Sequence, residues 1–248
     1  GFSDFDVSGV LIEGFDELPT VYGKYNYPYY SEFIERCGYK KEVDWVEYSV
    51  TVPKTMPEKF SDMVKIIAER YKLRSAKFTS KKELLKYVNE IFQLLNKEYD
   101  SIHGFSELTP KQIDTLKKQF IPLVRLKYVS VVLNAENKVV GFGICMPSLS
   151  KALKKAGGHL FPFGLIHIQK ALFYNDTIDT LLIAIHSDYR EKGVNALIFN
   201  DIGNSIIADG ISKIETTREL EHNFPVQNLW NKLERRQHKR ARCYIKAL

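Results

Sequence analysis

Apolar and polar positions change period several times along the chain, and each change marks an element. From Asp44 to Val52 they alternate in twos, with Val46, Tyr48, Val50 and Val52 facing one way and Trp45, Glu47, Ser49 and Thr51 the other, the pattern of a strand. Before it, Val10-Leu11-Ile12 reads as extended chain, Gly14, Asp16 and Pro19 as turn, and Pro28 to about Cys37 as a helix ended by Gly38 in a left-handed cap. After it, Thr55-Met56-Pro57-Glu58 has capping-box spacing and opens a helix to about Leu73, with Phe60, Met63, Val64, Ile67 and Tyr71 on one side. A short strand is predicted at 74–78. Ser80-Lys81-Lys82-Glu83 repeats the capping-box spacing, and Leu84, Leu85, Val88, Ile91, Phe92 and Leu95 continue at helical period over 80–97.

In the second half, Thr109-Pro110 starts a helix carrying Ile113, Leu116, Phe120 and Ile121. Tyr128 to Leu133 and Lys138 to Met146 flank the polar turn Asn134-Ala135-Glu136-Asn137 as a hairpin, and Pro147 closes it. Residues 148–177 are the least regular, with helix expected only near Ile166 to Phe173; a loop of this length is often a binding element. Thr180 to Ile185 is a near-continuous apolar run, the signature of a strand buried on both faces. The polar turn His186 to Gly193 then feeds a helix with Val194, Leu197, Ile198, Ile202 and Ile206 inward, stopped by Gly210. Lys213 to Thr217 reads as a strand, Pro225 to about Arg235 as a helix, and Arg242 to Ala247 as a closing strand.

Composition narrows the class. With 248 residues, 44% of them hydrophobic and 27% charged, the chain can bury a large core and lies outside the disordered, collagen-like and coiled-coil classes. No apolar run reaches the ~18 residues of a spanning helix, the first residues do not read as a signal peptide, and no membrane partner is expected. Cys37, Cys145 and Cys243 are odd in number and far from any histidine at metal-ligand spacing, so reduced thiols, a cytoplasmic location and no metal are expected. Of the net charge of +6, five units come from Arg235, Arg236, Lys239, Arg240 and Arg242, a cluster expected to be solvated or to meet a polyanion. The opening Gly1-Phe2-Ser3-Asp4-Phe5-Asp6 runs straight into strand-like sequence, as in a fragment of something longer.

The strand, glycine-bearing turn and helix from Thr180 to Asp209 aim backbone N–H groups and a helix dipole at one spot, an arrangement suited to phosphate or pyrophosphate. It lacks the glycine strings of nucleotidase and dinucleotide loops, so neither NTP nor NAD is favoured. The stretch Ile183-Ala184-Ile185-His186-Ser187-Asp188-Tyr189-Arg190-Glu191-Lys192-Gly193-Val194-Asn195-Ala196-Leu197 resembles the coenzyme A signature of the GNAT superfamily of N-acetyltransferases, a strand feeding an Arg/Gln-x-x-Gly-x-Gly/Ala turn. Arg190 and Gly193 match; Asn195 stands where Gly or Ala is usual. The second motif is similar too: Asn223 is followed by Val226 at three and Trp230 at seven, where many members have the tyrosine that protonates the departing thiolate. Tyr244 and Tyr189 are the phenols that could replace it.

The resemblance implies an α/β GNAT-like acyl-CoA N-acyltransferase fold: a mixed, mostly antiparallel sheet with a splayed central parallel pair and helices on both faces. It covers residues 74–248 as a complete domain. Asn26-Tyr27-Pro28-Tyr29-Tyr30 and the Trp45 strand resemble Asn223-Phe224-Pro225-Val226 and the Tyr244 strand, so residues 1–52 are expected to be the closing strand-helix-strand remnant of a first module and 53–73 a connecting helix. The chain thus looks like the C-terminal part of a bacterial tandem-GNAT-like protein. The implied reaction moves an acetyl group from acetyl-CoA to an amine on a small molecule or peptide. Cofactor contacts are expected from Ile183, Ile185, Tyr189, Arg190, Glu191, Lys192, Gly193, Val194, Asn195 and Ala196, with the Ile185 backbone on the carbonyl and pantetheine. Catalytic candidates are Glu215, Glu221, His186 and Asn223, the carboxylates and histidine as bases for the amine. Two rivals stand beside it: a Fem-type aminoacyl transferase using charged tRNA, which would employ the basic cluster, and a degenerate GNAT-like binding module. The aromatic block Tyr22 to Tyr30 is expected to form an internal interface layer.

Overall fold

A computed structural model describes residues 8–247 and pairs the period-two segments into one sheet. Its strands are β1 (Val10–Glu13), β2 (Lys40–Thr51), β3 (Arg74–Ser75), β4 (Val129–Leu133), β5 (Val139–Pro147), β6 (Thr177–Ile185), β7 (Lys213–Glu215), β8 (Glu219–Leu220) and β9 (Arg235–Ile245). Across the sheet the order is β1-β9-β2-β7-β6-β5-β4-β3, with β8 paired to β2. The described pairings are antiparallel except that of β6 with β7, as the expected fold requires. The opening residues Gly1 to Asp6 lie outside the described residues. β2 stands inside the sheet, between β7 and β9.

The helices are α1 (Tyr29–Arg36), α2 (Glu58–Tyr71), α3 (Lys81–Leu85), α4 (Val88–Tyr99), α5 (Pro110–Phe120), α6 (Ser150–Ala156), α7 (Gly164–Phe173), α8 (Val194–Ala208) and α9 (Phe224–Gln227). They bury two cores. On one face Val46, Val50 and Ile178 of the sheet pack with Val64 of α2 and Leu197, Ile198 and Ile202 of α8; on the other, Val131, Leu133 and Phe142 pack with Ile91, Leu94 and Leu95 of α4. The approach of α8 is set by two glycines of β5: a Cβ at Gly141 would fall 2.4 Å from Val194 Cγ1, and one at Gly143 2.5 Å from Ile198 Cγ2.

Several expected boundaries move, each for a local reason. Of the helix starts, only Thr109 forms a full capping box, with Gln112; α2 begins after Pro57 without a side-chain cap, and Glu83 accepts the N–H of Thr79 at 2.7 Å while Ser80 makes no cap bond. The helix expected over 80–97 breaks at Lys86 and Tyr87. Residues 148–177 form α6 and α7. The helix expected over 225–235 is only α9 plus a single turn, Asn228–Trp230, because β9 already begins at Arg235.

That earlier start corrects the reading of the basic cluster as solvated or polyanion-facing. Lys239 is buried 2.8 Å from Glu47, Arg236 pairs with Glu17 at 2.6 Å, and Arg235 lies 4.7 Å over the Tyr48 ring. Arg242 holds Asp44 through two bonds of 2.8 and 3.0 Å, and Arg240 adds a third at 3.2 Å. A strand that carries cations toward acidic neighbours on β2 neutralises them inside the sheet. The aromatic block is likewise not an internal layer: Tyr25, Tyr27, Tyr29 and Tyr30 are exposed, and Tyr22 alone of the block stacks inward, on Phe120 at 6.1 Å.

Candidate active site

β6 and β7 run together for three residue pairs, Thr177 with Lys213, Ile178 with Ile214 and Asp179 with Glu215; β7 then ends while β6 continues to Ile185. Where they part, the β5 register slips from Ile144 opposite Leu182 to Cys145 opposite Thr180. One extra residue, Leu181, is left in β6 as a bulge, which bends the strand away from its neighbour. The gap opens into a cleft, part of a cavity of about 1150 Å³ that also reaches between α4 and α5 on the other face of the sheet. Its walls are apolar: Phe60, Met63 and Ile67 from α2, Phe199 from α8, and Val226 and Leu229 from the α9 segment. On the floor, the Tyr99 hydroxyl donates to the carbonyl of Ile183 at 3.0 Å.

A carboxyl group, Glu219, also lines this cleft. Its Oε1 accepts the Trp230 indole N–H at 3.0 Å, and its Oε2 is buried without a hydrogen-bond partner. Burial, only partly offset by the indole, pushes its pKa up to about 7. Trp230 is itself buried and sits edge-on to Phe199 with ring centres 5.5 Å apart. Within the parallel pair a second carboxyl, Asp179, is wholly buried; burial, opposed by Ser148 and reinforced by the charge of Glu215, raises its pKa to about 7.

The catalytic candidates disperse. Glu215 is buried beside Asp179 with His238 Nε2 at 2.8 Å and Lys213 as its other partner; burial raises its pKa, but these two partners outweigh it and hold the carboxyl low. Glu221 accepts the backbone N–H of Asp44 at 3.0 Å and pairs with Lys41 at 2.7 Å, tying the turn to β2; there too burial is outweighed, chiefly by Lys41, and the pKa falls. His186 ends β6, its Nδ1 accepting the Asp188 N–H at 3.2 Å and its Nε2 lying 2.9 Å from Lys97 Nζ. Asn223 alone of the four lines the cleft, as the N-cap of α9 with no side-chain cap bond.

The turn after β6 has the expected shape, since Gly193 has φ +72° and opens α8. Several of its side chains are already engaged. Glu98, almost fully buried at the end of α4, accepts from Arg190 at 2.7 Å and from the Ser187 N–H at 3.0 Å. Asn195 Oδ1 accepts the Ala196 N–H at 3.0 Å, and the Tyr189 hydroxyl accepts from Asn134 at 3.2 Å. The space beside Gly193 is filled by Ile67, whose Cδ1 lies 2.8 Å from where a Cβ would stand. Val194, the first residue of α8, is buried against Gly141, Ile185 pairs with Gly141, Lys192 lies over the Tyr189 ring, and Glu191 is exposed. Ile183, Gly193, Asn195 and Ala196 do reach the cleft.

Three features escape a reading of the sequence. Glu219 follows a strand that the pattern ends at Thr217, so its direction could not be derived. Leu181 sits in an uninterrupted apolar run, which carries no sign of a bulge. Ile67 and Glu98 look like ordinary helix residues. Among the described residues no set of histidine, cysteine and acidic side chains could hold a metal ion, and no helix is long and apolar enough to cross a membrane.

No family model matches the chain. Protein YghO of Escherichia coli (strain K12) is 24% identical over 251 residues, covering 97% of this chain, which spans 63% of that protein's length. Among solved structures, a GCN5-related N-acetyltransferase from Sphaerobacter thermophilus superposes with a TM-score of 0.51 at 8% identity, over 86% of this chain and 54% of that one. The GCN5-related glucosamine N-acetyltransferase region of a fungal multi-domain GH3 β-N-acetylglucosaminidase gives 0.51 at 11% identity, over 86% of this chain and 22% of that one. The chain therefore has the GNAT fold, with the sheet order and splayed parallel pair described above.

Proposed function

We propose that the chain is an N-acyltransferase that moves an acyl group, acetyl in the simplest case, from a coenzyme A thioester to an amine. The observation that carries this reading is the apolar cleft at the β6–β7 splay, with one carboxyl of near-neutral pKa inside it. The cleft fits the pantetheine arm and acyl group. The turn after β6 is closed by Glu98, Ile67 and Asn195, so no diphosphate contact is assigned to it.

A bound acyl thioester supplies the activated carbonyl. The α2, α8 and α9 walls exclude water and hold the reacting carbon at the splay. Glu219 manages the proton: near neutral pH it takes one from the attacking nitrogen as the carbon–nitrogen bond forms and gives one to sulfur as the carbon–sulfur bond breaks. Trp230 aims the Glu219 carboxyl through its indole N–H. On this reading residues 1–52 derive from the closing part of a preceding module, residues 53–73 connect, and residues 74–248 carry the transferase site, with β2 completing their sheet between β7 and β9. The free thiols fit a reducing, cytoplasmic setting.

A degenerate, binding-only module is the second reading, favoured by the Arg190 to Glu98 ion pair that occupies the turn. The Fem-type reading is weakened, because Lys239, Arg240 and Arg242 of the basic cluster meant for tRNA pair with Glu47 and Asp44 inside the sheet. Incubation with acetyl-CoA and a panel of primary amines, followed by mass spectrometry, separates the first two. Acylated amine that falls by about 10²-fold or more in Glu219→Gln supports transfer; binding of the thioester with no acylated amine supports the module.

A further inference from the structure

We propose that the surface formed by α6, α7 and the segment between them docks on an anionic lipid bilayer. From Ser148 to Asn175 the chain contains no aspartate or glutamate, but carries Lys151, Lys154, Lys155 and Lys170. Within it Leu160, Phe161, Phe163, Ile166, Phe173 and Tyr174 are exposed, Phe161 and Tyr174 at 78% and Phe163 at 67%. Phe163, Ile166 and Phe173 fall at spacings of three and seven, one side of the helix, so the apolar stripe of α7 faces outward; Gly164 is its only buried residue.

α6 packs beside α7, and its Lys154 and Lys155 stand exposed at the edge of this apolar surface, while Lys170 lies within the stripe. Large aromatic and aliphatic groups edged by Lys154, Lys155 and Lys170, with Lys151 paired at 2.7 Å to Asp176 just past the segment, match the boundary between acyl chains and anionic headgroups. A second copy would set like charge against like charge across a two-fold axis. The surface lies at the end of the sheet where β5 finishes and β6 starts, and it does not depend on the acyl-transfer reading. It replaces the expectation, drawn from the lack of a spanning segment, that membranes play no part.

The test is flotation of the chain with vesicles of phosphatidylcholine alone and of phosphatidylcholine with about one third phosphatidylglycerol, at low and raised salt. Association with the anionic vesicles is expected, weakened by salt, and reduced about tenfold or more both in Phe161→Ser/Phe163→Ser and in Lys154→Glu/Lys155→Glu, with melting unchanged because all four side chains are exposed. No flotation with anionic vesicles at low salt, or flotation indifferent to both double variants, overturns the proposal. So does a dimer in analytical ultracentrifugation that Phe161→Ser/Phe163→Ser dissociates, since the surface would then be covered by a second copy.

Discussion

Glu219→Gln tests the electrostatics of the cleft through stability, without any ligand. In the folded chain burial holds the Glu219 carboxyl near a pKa of about 7, against 4.5 for a solvated glutamate. A raised carboxyl pKa means the folded state resists ionisation, so the penalty is absent below the unfolded pKa, grows as pH rises and is complete above the folded one. The gap of about 2.5 units corresponds to about 3 kcal/mol at about 1.4 kcal/mol per unit, of which most accrues between about pH 5 and about pH 8.5. Glutamine keeps the size and still accepts the Trp230 N–H, but carries no charge. Urea unfolding of both proteins should show the variant gaining about 2–3 kcal/mol on the parent between those two pH values, or roughly 5–10 °C in Tm for a chain of this length. A stability difference that stays constant across that range would refute the assignment of a buried, near-neutral carboxyl.

Trp230→Phe removes the indole donor on Glu219, so the pH–rate profile of acyl transfer should move to higher pH; an unmoved profile would exclude the pair from proton transfer. Gly193→Ala should cost about 1–2 kcal/mol through its positive φ alone, plus a steric share that Ile67→Ala relieves in the double variant, read by urea unfolding. Asp44→Asn strands Arg242, while Arg240 keeps Glu13, and should cost about 3 kcal/mol. Burial raises the Asp44 pKa, but Arg242, Lys41 and Arg240 outweigh it and depress it to about 2, so its contribution is present above the unfolded value of 3.8 and vanishes as pH falls through about 2 in an acid titration of the parent.

The fold was legible wherever apolar residues recur at a fixed period, because period then reports geometry. β2, α8 and the β4–β5 hairpin, each built on a repeating apolar face, lie where their patterns put them. Local rules failed where tertiary partners compete with them: Ser80 has the spacing of a cap, yet Thr79 takes Glu83, and Arg235 to Arg242 has the charge of a surface while its partners sit on a strand far away in sequence. The site was legible as a turn and a glycine. It was not legible as a cleft, because Glu219, Trp230 and Ile67 come from three elements that meet only when α2 lies along α8. Trp230 drew notice as a replaced tyrosine, but its bond to Glu219 needed the structure.

The central claim is that the acyl arm lies in the cleft at the splay and that binding does not depend on the turn at Gly193. Calorimetric titration with a non-hydrolysable acyl-pantetheine thioether and with its coenzyme A counterpart tests it in the parent and in Val226→Trp, which fills the cleft. The account predicts that both ligands bind the parent with affinities within about tenfold, and that Val226→Trp abolishes both while melting cooperatively. Failure of both ligands to bind the parent, or binding of the coenzyme form alone that survives Val226→Trp, would contradict it.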